Sequence, residues 1–471
     1  FMKKYTIMIL CLAALSFGVV CPGVYGQGSN DGLETKVEKM EKMLMELKDQ
    51  LKQQTVASDE LKEMRDEIKK ISAPALPEDD FYWAKKSQDL VNKGLAPVFG
   101  NQYGKPFLRR FGKNTYIGGY MDHELKFEEN GDHEFDQHRL IPFIYSDVSD
   151  RVKFATEIEF EHGGTNSAEG VQGATGELKI EFATIDFLVT DWLNYRGGII
   201  LSPLGKYNLT HDSPLQDLTD RPMVSRRIIP TTLSESGMGF FGTLYPTEMS
   251  TLSYEIYAVN GFSAEDEGVV AGGGLSFIRS SRGSIKDNNN RNFAIVGRVA
   301  YSPFLGLEVG LSAHSGNIDQ HSSNRMTIKA VDWTYQRGAF ELVGEYAHSS
   351  IERDGEFDAT TPNSDKYNGD MWGYYVEPRY HFMPQILKDV APTFFTDNST
   401  FTAVCRLGGL DINNPTPGSA DRRQTRVTPG FNFRYTEDTV FKAEYQFNME
   451  HDRTRDEFSN NKLLFSVATY F

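Results

Sequence analysis

Cysteine is scarce, with 3 among 471 residues. Cys11 and Cys21 fall in an apolar N-terminal stretch, which leaves Cys405 alone downstream. One thiol cannot close an internal disulfide, so a stapled secreted scaffold is excluded. No CxxC pair and no CxxCH haem site occurs. Basic residues are outnumbered, 49 Lys and Arg against 65 Asp and Glu, for a formal charge of −16. Such a chain is a poor nucleic-acid binder. No second apolar run of about 18 residues exists, which excludes helical membrane spans. A barrel is not excluded, because alternating strands average out to mild polarity. Nucleophile motifs are missing too. GTLYP is no GxSxG, and His123, His138, His162, His314 and His348 have no serine or aspartate context of the hydrolase kind. The pairs His133 with His138 and Asp122 with His123 read as lumen or solvent groups. No enzyme, cofactor or metal site is therefore expected. A plugged 22-stranded transporter is excluded as well, since 27–113 is too short for a plug of over about a hundred residues.

What is present begins with KKYTIMILCLAALSFGVVCPGVYG after Phe1 and Met2. Lys3 and Lys4 precede an apolar core from Ile7 to Val20, and Val24 and Gly26 are small enough for cleavage before Gln27. This is the pattern of an export signal over 1–26. Cys21 raises a lipid-anchor alternative, for which Gly18, Val19 and Val20 make a poor lipobox. A heptad seam follows in 27–73: Leu33, Val37, Met40, Leu44, Leu47 and Leu51, then, after a slip near 53–58, Leu61, Met64, Ile68 and Ile71. The spacing predicts a coiled coil that oligomerises the chain. Its mixed Leu, Met and Val seam specifies strand number weakly. The plainer alternative is a solvated amphipathic helix. Pro74 and Pro77 end it, and 74–113 reads as a linker, with a short helix in AKKSQDLVNKG.

From Asn114 the period becomes two. In RVKFATEIEFEH, Val152, Phe154, Ile158 and Phe160 oppose Lys153, Glu157, Glu159 and Glu161. In TVFKAEYQFNME, Phe441, Ala443, Tyr445 and Phe447 oppose Lys442, Glu444, Gln446 and Asn448. Sixteen such runs occupy 114–471. Short connections (SDVSDR, TDW, SPFLG, YQRG, TED) alternate with long ones, and 383–398 is long enough for a small helix. That alternation predicts an all-β membrane protein: a 16-stranded antiparallel up-and-down transmembrane β-barrel, preceded by the α-helical coiled coil. A soluble sandwich would alternate too. The barrel is favoured by aromatics at run ends (Phe143 with Tyr145, Trp372 with Tyr374, Tyr380 with Phe382) and by the final run. There Leu463, Phe465, Val467, Thr469 and Phe471 share the outward face of a strand expected to pair with the first.

About sixteen strands leave an aqueous lumen. The expected pore wall carries Glu157, Glu159, Glu308, Lys329, Glu345, Arg406, Arg434 and Lys442. The third outer connection, about 203–236, is long and patternless, and such stretches are usually functional. It is read as a constriction loop bearing Asp217, Asp220, Arg221, Arg226 and Arg227. Charges in a narrow passage set ion preference. The alternative is a surface loop with a solvated charge cluster.

The order FGKNTYIGGYMDHELKF, FDQHRLIPFIYSDVSDRVKFATEIEFEHGG, RGGIILSPLGKYNLTHDSPLQDLTDRP and YAVNGF resembles the phosphate-selective porin O/P-type family over roughly 110–471. The resemblance implies a 16-stranded barrel in the bacterial outer membrane, homotrimer assembly, contact with lipid and lipopolysaccharide, and diffusion of small solutes. It also implies a periplasmic place for the coiled coil. Phosphate-specific members line the pore with arginines and lysines; the walls here are rich in glutamate, so phosphate selectivity is not carried over. The expected function is passive, charge-biased diffusion of small hydrophilic solutes or ions. The alternative is a structural barrel whose coiled coil tethers the membrane to peptidoglycan or a partner, with an outer-membrane enzyme a minor third.

Overall fold

The computed structural model describes residues 105, 107–111, 114–163, 176–263, 277–286, 288, 292–319, 324–353, 370–412, 422–451 and 460–471. The export signal, the heptad seam and the helix expected within the linker lie outside these residues. A short strand β1 (Arg109–Phe111) is followed by β2 (Thr115–Glu128), β3 (His133–Asp147), β4 (Val152–Glu161), β5 (Glu177–Thr190) and β6 (Leu193–Leu201). Next come β7 (Ser234–Thr247), β8 (Ser250–Val259), β9 (Ala294–Phe304), β10 (Leu307–Asn317), β11 (Asn324–Arg337) and β12 (Phe340–Arg353). The series ends with β13 (Asp370–Phe382), β14 (Thr400–Ile412), β15 (Arg422–Arg434), β16 (Thr439–His451) and β17 (Lys462–Tyr470).

Every strand from β2 to β17 pairs antiparallel with its successor, and β17 returns to β2, from Lys462 opposite Glu128 to Tyr470 opposite Tyr120. Sixteen strands thus close into a ring with no free edge. They correspond one for one with the sixteen period-two runs.

Alternation decides which side of the wall each residue takes. Phe441 and Phe447 are 49% and 48% exposed, whereas Lys442, Glu444 and Gln446 on the same strand are 3%, 2% and 1% exposed. The same contrast sets outward Ile256, Ile295, Leu311 and Leu407 against inward Glu255, Arg298, Ser312 and Arg406. The barrel is therefore greasy outside and charged inside. A contiguous apolar exterior needs an apolar medium to cover it, at about 1.5–3 kcal/mol per large side chain. Aromatic clusters mark both ends: Trp372 stacks with Tyr374 and Tyr346 near the long loops, and Phe382, Phe401 and Phe433 pack together near the short turns.

Two of the β-bulges in the ring turn neighbouring residues inward together. Opposite the Glu157–Ile158 step of β4, β5 carries one extra residue, so Glu181 and Phe182 both turn inward at 0% exposure. Before the bulge Leu178 and Ile180 face out; after it Ile185 and Phe187 do. The second lies between β2 and β3, where the register shifts between Asp122 and Glu124 and neighbours His138 and Arg139 both turn inward. At Gly198 the backbone takes φ +130°, and a Cβ would stand 2.1 Å from the Ala183 carbonyl oxygen. Only glycine fits there.

Three expectations need correction. Phe143 and Tyr145 are not part of an outer aromatic belt: both are 0% exposed and pack inward with Tyr120, Phe182 and Tyr470. Lys329 does not line the lumen. Ile328, Ala330 and Asp332 on β11 are buried inward, which places Lys329 with Val331 and Trp333 on the outer face. The end of the presumed linker is structured, since β1 pairs with β2 and Lys105 enters the barrel. The small helix expected in 383–398 is present as Gln385–Val390.

Candidate functional site

The connection from β6 to β7 folds into the ring instead of over it. It contains helix α1 (Lys206–Leu209), a 3-10 turn at Ser213–Leu215 and helix α2 (Met223–Arg227). It brings its own apolar core, with Leu204, Val224, Ile228 and Ile229 all at 0% exposure. Apolar contact alone would leave the loop free to slide. What fixes it is a set of wall side chains that accept or donate at defined loop atoms.

Glu345 of β12 accepts from the Tyr207 amide at 3.1 Å and from the Ser225 hydroxyl at 2.9 Å. The loop reaches this carboxylate through Gly205, at φ +69°, where a Cβ would meet Glu345 Oε2 at 2.5 Å. Lys206 pairs with Glu308 at 3.1 Å and donates to Thr334. His211 meets Glu181 at 3.1 Å, and Thr232 donates to the same carboxylate at 3.0 Å. Asp212 takes Lys105 at 2.5 Å and the Tyr470 hydroxyl at 2.9 Å, and Lys105 also pairs with Glu157 at 3.0 Å.

The second half of the loop is held by cations of β13 to β16. Asp217 pairs with Arg434 at 2.9 Å and Arg379 at 3.2 Å. Asp220 pairs with Arg426 at 2.9 Å, and its carbonyl accepts from Arg406 at 2.6 Å. Lys442 donates to the Ser213 carbonyl at 2.7 Å, and Glu444 accepts the Thr219 amide at 2.6 Å. Burial works against both loop carboxylates, and the guanidiniums overcome it: Arg379 and Arg434 hold Asp217 well below its usual range, while Arg426 and Arg226 bring Asp220 to about 2.

The loop separates two cavities. On the long-loop side, about 320 Å³ is lined by Glu124, His138, Arg139, Glu161, Asp220 and Arg226, among others. On the short-turn side, about 270 Å³ is lined by Leu215, Asp217, Glu341, Arg379, His381 and Arg434, among others. A basic cluster overlooks the first. Arg226 is 54% exposed at its side chain. Arg279, on the short helix α3 (Phe277–Ser280), donates to the Thr231 carbonyl at 2.6 Å, and Arg282 donates to that of Thr232 at 3.0 Å. Burial, with Arg282 and Arg226 close by, lowers Arg279 to about 10. Arg227 is lowered as well, by burial and by Arg226. Arg226 and Arg282 crowd Arg279, and Glu159, Glu161 and Glu177 are the carboxylates that oppose this positive charge.

Of the residues singled out from the sequence, Asp217 is buried in the loop, Asp220, Arg221 and Arg227 are half-buried there, and Arg226 is exposed. Glu157, Glu159, Glu345, Arg406, Arg434 and Lys442 are buried inside the ring, and Glu308 is half-buried. Loop and wall meet at Asp217 with Arg434 and at Asp220 with Arg406. Glu159 instead pairs with Arg139 at 3.3 Å. Sequence reading missed Glu181 and Arg139, both set by bulges, and also Lys105, Glu377, Arg379 and Arg426. Glu377 and Arg379 alternate with outward Tyr380 and were findable by extending the two-residue period through β13.

No family model matches the chain. It is 30% identical over 304 residues to an uncharacterized protein of Aquifex aeolicus (strain VF5), across 62% of this chain. The chain spans 65% of that relative's length. Among solved structures it is similar to Salmonella typhi OmpF in complex with daunomycin, at 12% identity and TM-score 0.49, covering 78% of this chain and 100% of that one. An anion-selective porin from Comamonas acidovorans has 11% identity and TM-score 0.47, over 76% of this chain and 99% of that one. The outer membrane channel DcaP of Acinetobacter baumannii has 9% identity and TM-score 0.47, over 77% and 99%.

Proposed function

We propose that this chain is a porin of the bacterial outer membrane, through which small hydrophilic solutes and ions diffuse down their gradients. The observation that carries this reading is the ring of β2 to β17, apolar outside and charged inside, crossed by a pinned internal loop. A ring of about sixteen strands is too wide to be filled by its own side chains. Charges cost little towards water and a few kcal/mol each towards lipid, and the buried charges described here line the inner face. The loop of about 203–236 is the constriction, and Asp217, Asp220, Arg221, Arg226 and Arg227 set its charge. The crowded Arg226, Arg227, Arg279 and Arg282 favour anions at the long-loop mouth, with Asp220 and the vestibule carboxylates Glu124, Glu134, Asp136 and Glu161 opposing them.

The assembly is a homotrimer whose protomers each carry a pore, with the heptad seam of 33–71 as a coiled coil on the periplasmic side. Lipid and lipopolysaccharide cover the apolar exterior. No catalytic step or redox cofactor is involved. Planar-bilayer recording of the purified protein tests the proposal. Discrete conductance steps with three-step closures support it. A folded, membrane-inserted barrel that stays silent would leave the structural-anchor reading, in which the coiled coil binds peptidoglycan or a partner.

A further inference from the structure

The β2–β3 bulge sets three ligating side chains around one point of the lumen. Single Nδ1, Oδ and Oε atoms of His138, Asp122 and Glu124 all lie within 4.8 Å of one another. His138 Nδ1 is 2.7 Å from Glu124 Oε1 and 3.4 Å from Asp122 Oδ2. A tetrahedron with arms of ~2.1 Å has edges of ~3.4 Å, so the three donors already stand near the spacing of three corners. Regular alternation could not produce this group. Arg139 and His138 are sequence neighbours, and the extra residue of the bulge is what turns both inward. Gln137 fixes the bulge, donating to the carbonyls of Asp122 at 3.2 Å and Arg139 at 3.1 Å.

A second observation concerns Asp122 alone. Its side chain is 1% exposed, and Oδ1 is buried without a hydrogen-bond partner. A buried carboxylate oxygen left unmatched is costly unless a cation or donor joins it. Of the cations nearby, Arg139 pairs with Glu159 and Glu161, while Lys442 attracts Asp122 through space but gives its hydrogen bond to the Ser213 carbonyl. Glu124 and His138 line the 320 Å³ cavity on the long-loop side, which gives an ion a way in.

We propose that Asp122, Glu124 and His138 bind one divalent transition-metal ion of the zinc type, at the wall facing loop residues Thr219 to Arg221. One imidazole and two carboxylates suit such an ion. Calcium and magnesium require six or more oxygen ligands and gain nothing from the imidazole. The fourth position opens into the cavity, where water or a passing solute completes the coordination. Occupancy places two positive charges at the mouth of the constriction.

The test is equilibrium dialysis of the full-length protein in detergent against Zn²⁺ alone, with the metal counted by mass spectrometry. One ion per chain, retained against excess Mg²⁺, is expected for wild type. H138A and E124Q should each weaken binding at least about tenfold, while E134Q, at a residue that lines the same cavity and pairs with Lys126 at 2.8 Å, leaves it unchanged. Heat-modifiable gel mobility certifies that each variant is folded. Binding by H138A equal to wild type, or only weak binding abolished by Mg²⁺, overturns the proposal. This count does not depend on conduction, so a silent barrel that binds zinc would sink the porin reading and leave the metal site standing.

Discussion

The hydroxyl of Ser225 donates to Glu345 at 2.9 Å, joining a loop residue to a wall residue 120 positions further along the chain. Because the other oxygen of Glu345 accepts the Tyr207 amide at 3.1 Å, one carboxylate fastens both α1 and α2. Glu345→Ala removes both bonds, each with a net value of about 0.5–1.5 kcal/mol. The expected result is a higher and noisier single-channel conductance with unchanged gel mobility of the folded barrel. Unchanged conductance would mean that Glu345 does not hold the constriction.

Arg226 and Arg227 lie in the last turn of α2, beside the vestibule. The double reversal R226E/R227E should move the reversal potential in a salt gradient towards cation preference. Arg226 is exposed and Arg227 half-buried, both on the loop and not in the ring of strands, so the folded barrel should keep its gel mobility. A reversal potential identical to wild type removes the constriction from this part of the loop.

Acid should act on the loop anchor with a defined sign. Asp220 has its folded pKa lowered to about 2, against about 3.9 for an unperturbed aspartate. A depressed carboxylate contributes stability that is complete above the unfolded value and is lost as pH falls through the folded one. The conductance difference between wild type and D220N should therefore be constant from pH 7 to about 4, fall to half near pH 2 and close below it. A difference that fades between pH 7 and 5 would contradict the pairing with Arg426.

Gly198→Ala tests the backbone of the ring itself. The residue has φ +130°, and the new methyl would lie 2.1 Å from the Ala183 oxygen. Alanine at such a position destabilises by more than about 1 kcal/mol. The yield of heat-resistant folded barrel in a refolding assay should drop. A yield equal to wild type would mean that β5 and β6 can separate at no cost.

Lys329 offers a control for the inward and outward assignments. It shares the outer face of β11 with Val331 and Trp333. Lys329→Gln should leave ion selectivity unaltered, whereas Arg406→Gln, which removes the partner of Glu377 at 2.5 Å, should change it. Equal effects from the two variants would reverse the face of β11.

The number of strands and most of their faces were legible because each side of the wall meets a different medium. Phe441, Ala443, Tyr445 and Phe447 could not be inward without exposing Lys442, Glu444 and Gln446 to the outside. The loop was legible only as a gap in that pattern. Its pinning was not, since Glu345 lies 138 positions from Tyr207 and no local rule joins them. Bulges were the other blind spot. One extra residue in β5 brings Glu181 inward, and one in β3 does the same for His138, with no glycine or proline to announce either. Phe143 and Tyr145 misled for a further reason: an aromatic at a strand end looks the same whether it faces lipid or packs against Tyr470.

A hollow cylinder squeezed sideways tends to flatten, and a bilayer presses on its contents from all sides. The loop's fastenings reach Glu181 on one side of the ring and Glu308, Glu345, Arg434 and Glu444 around the other. It therefore acts as a strut across the bore. On the proposed function, the element that narrows the passage also keeps it round.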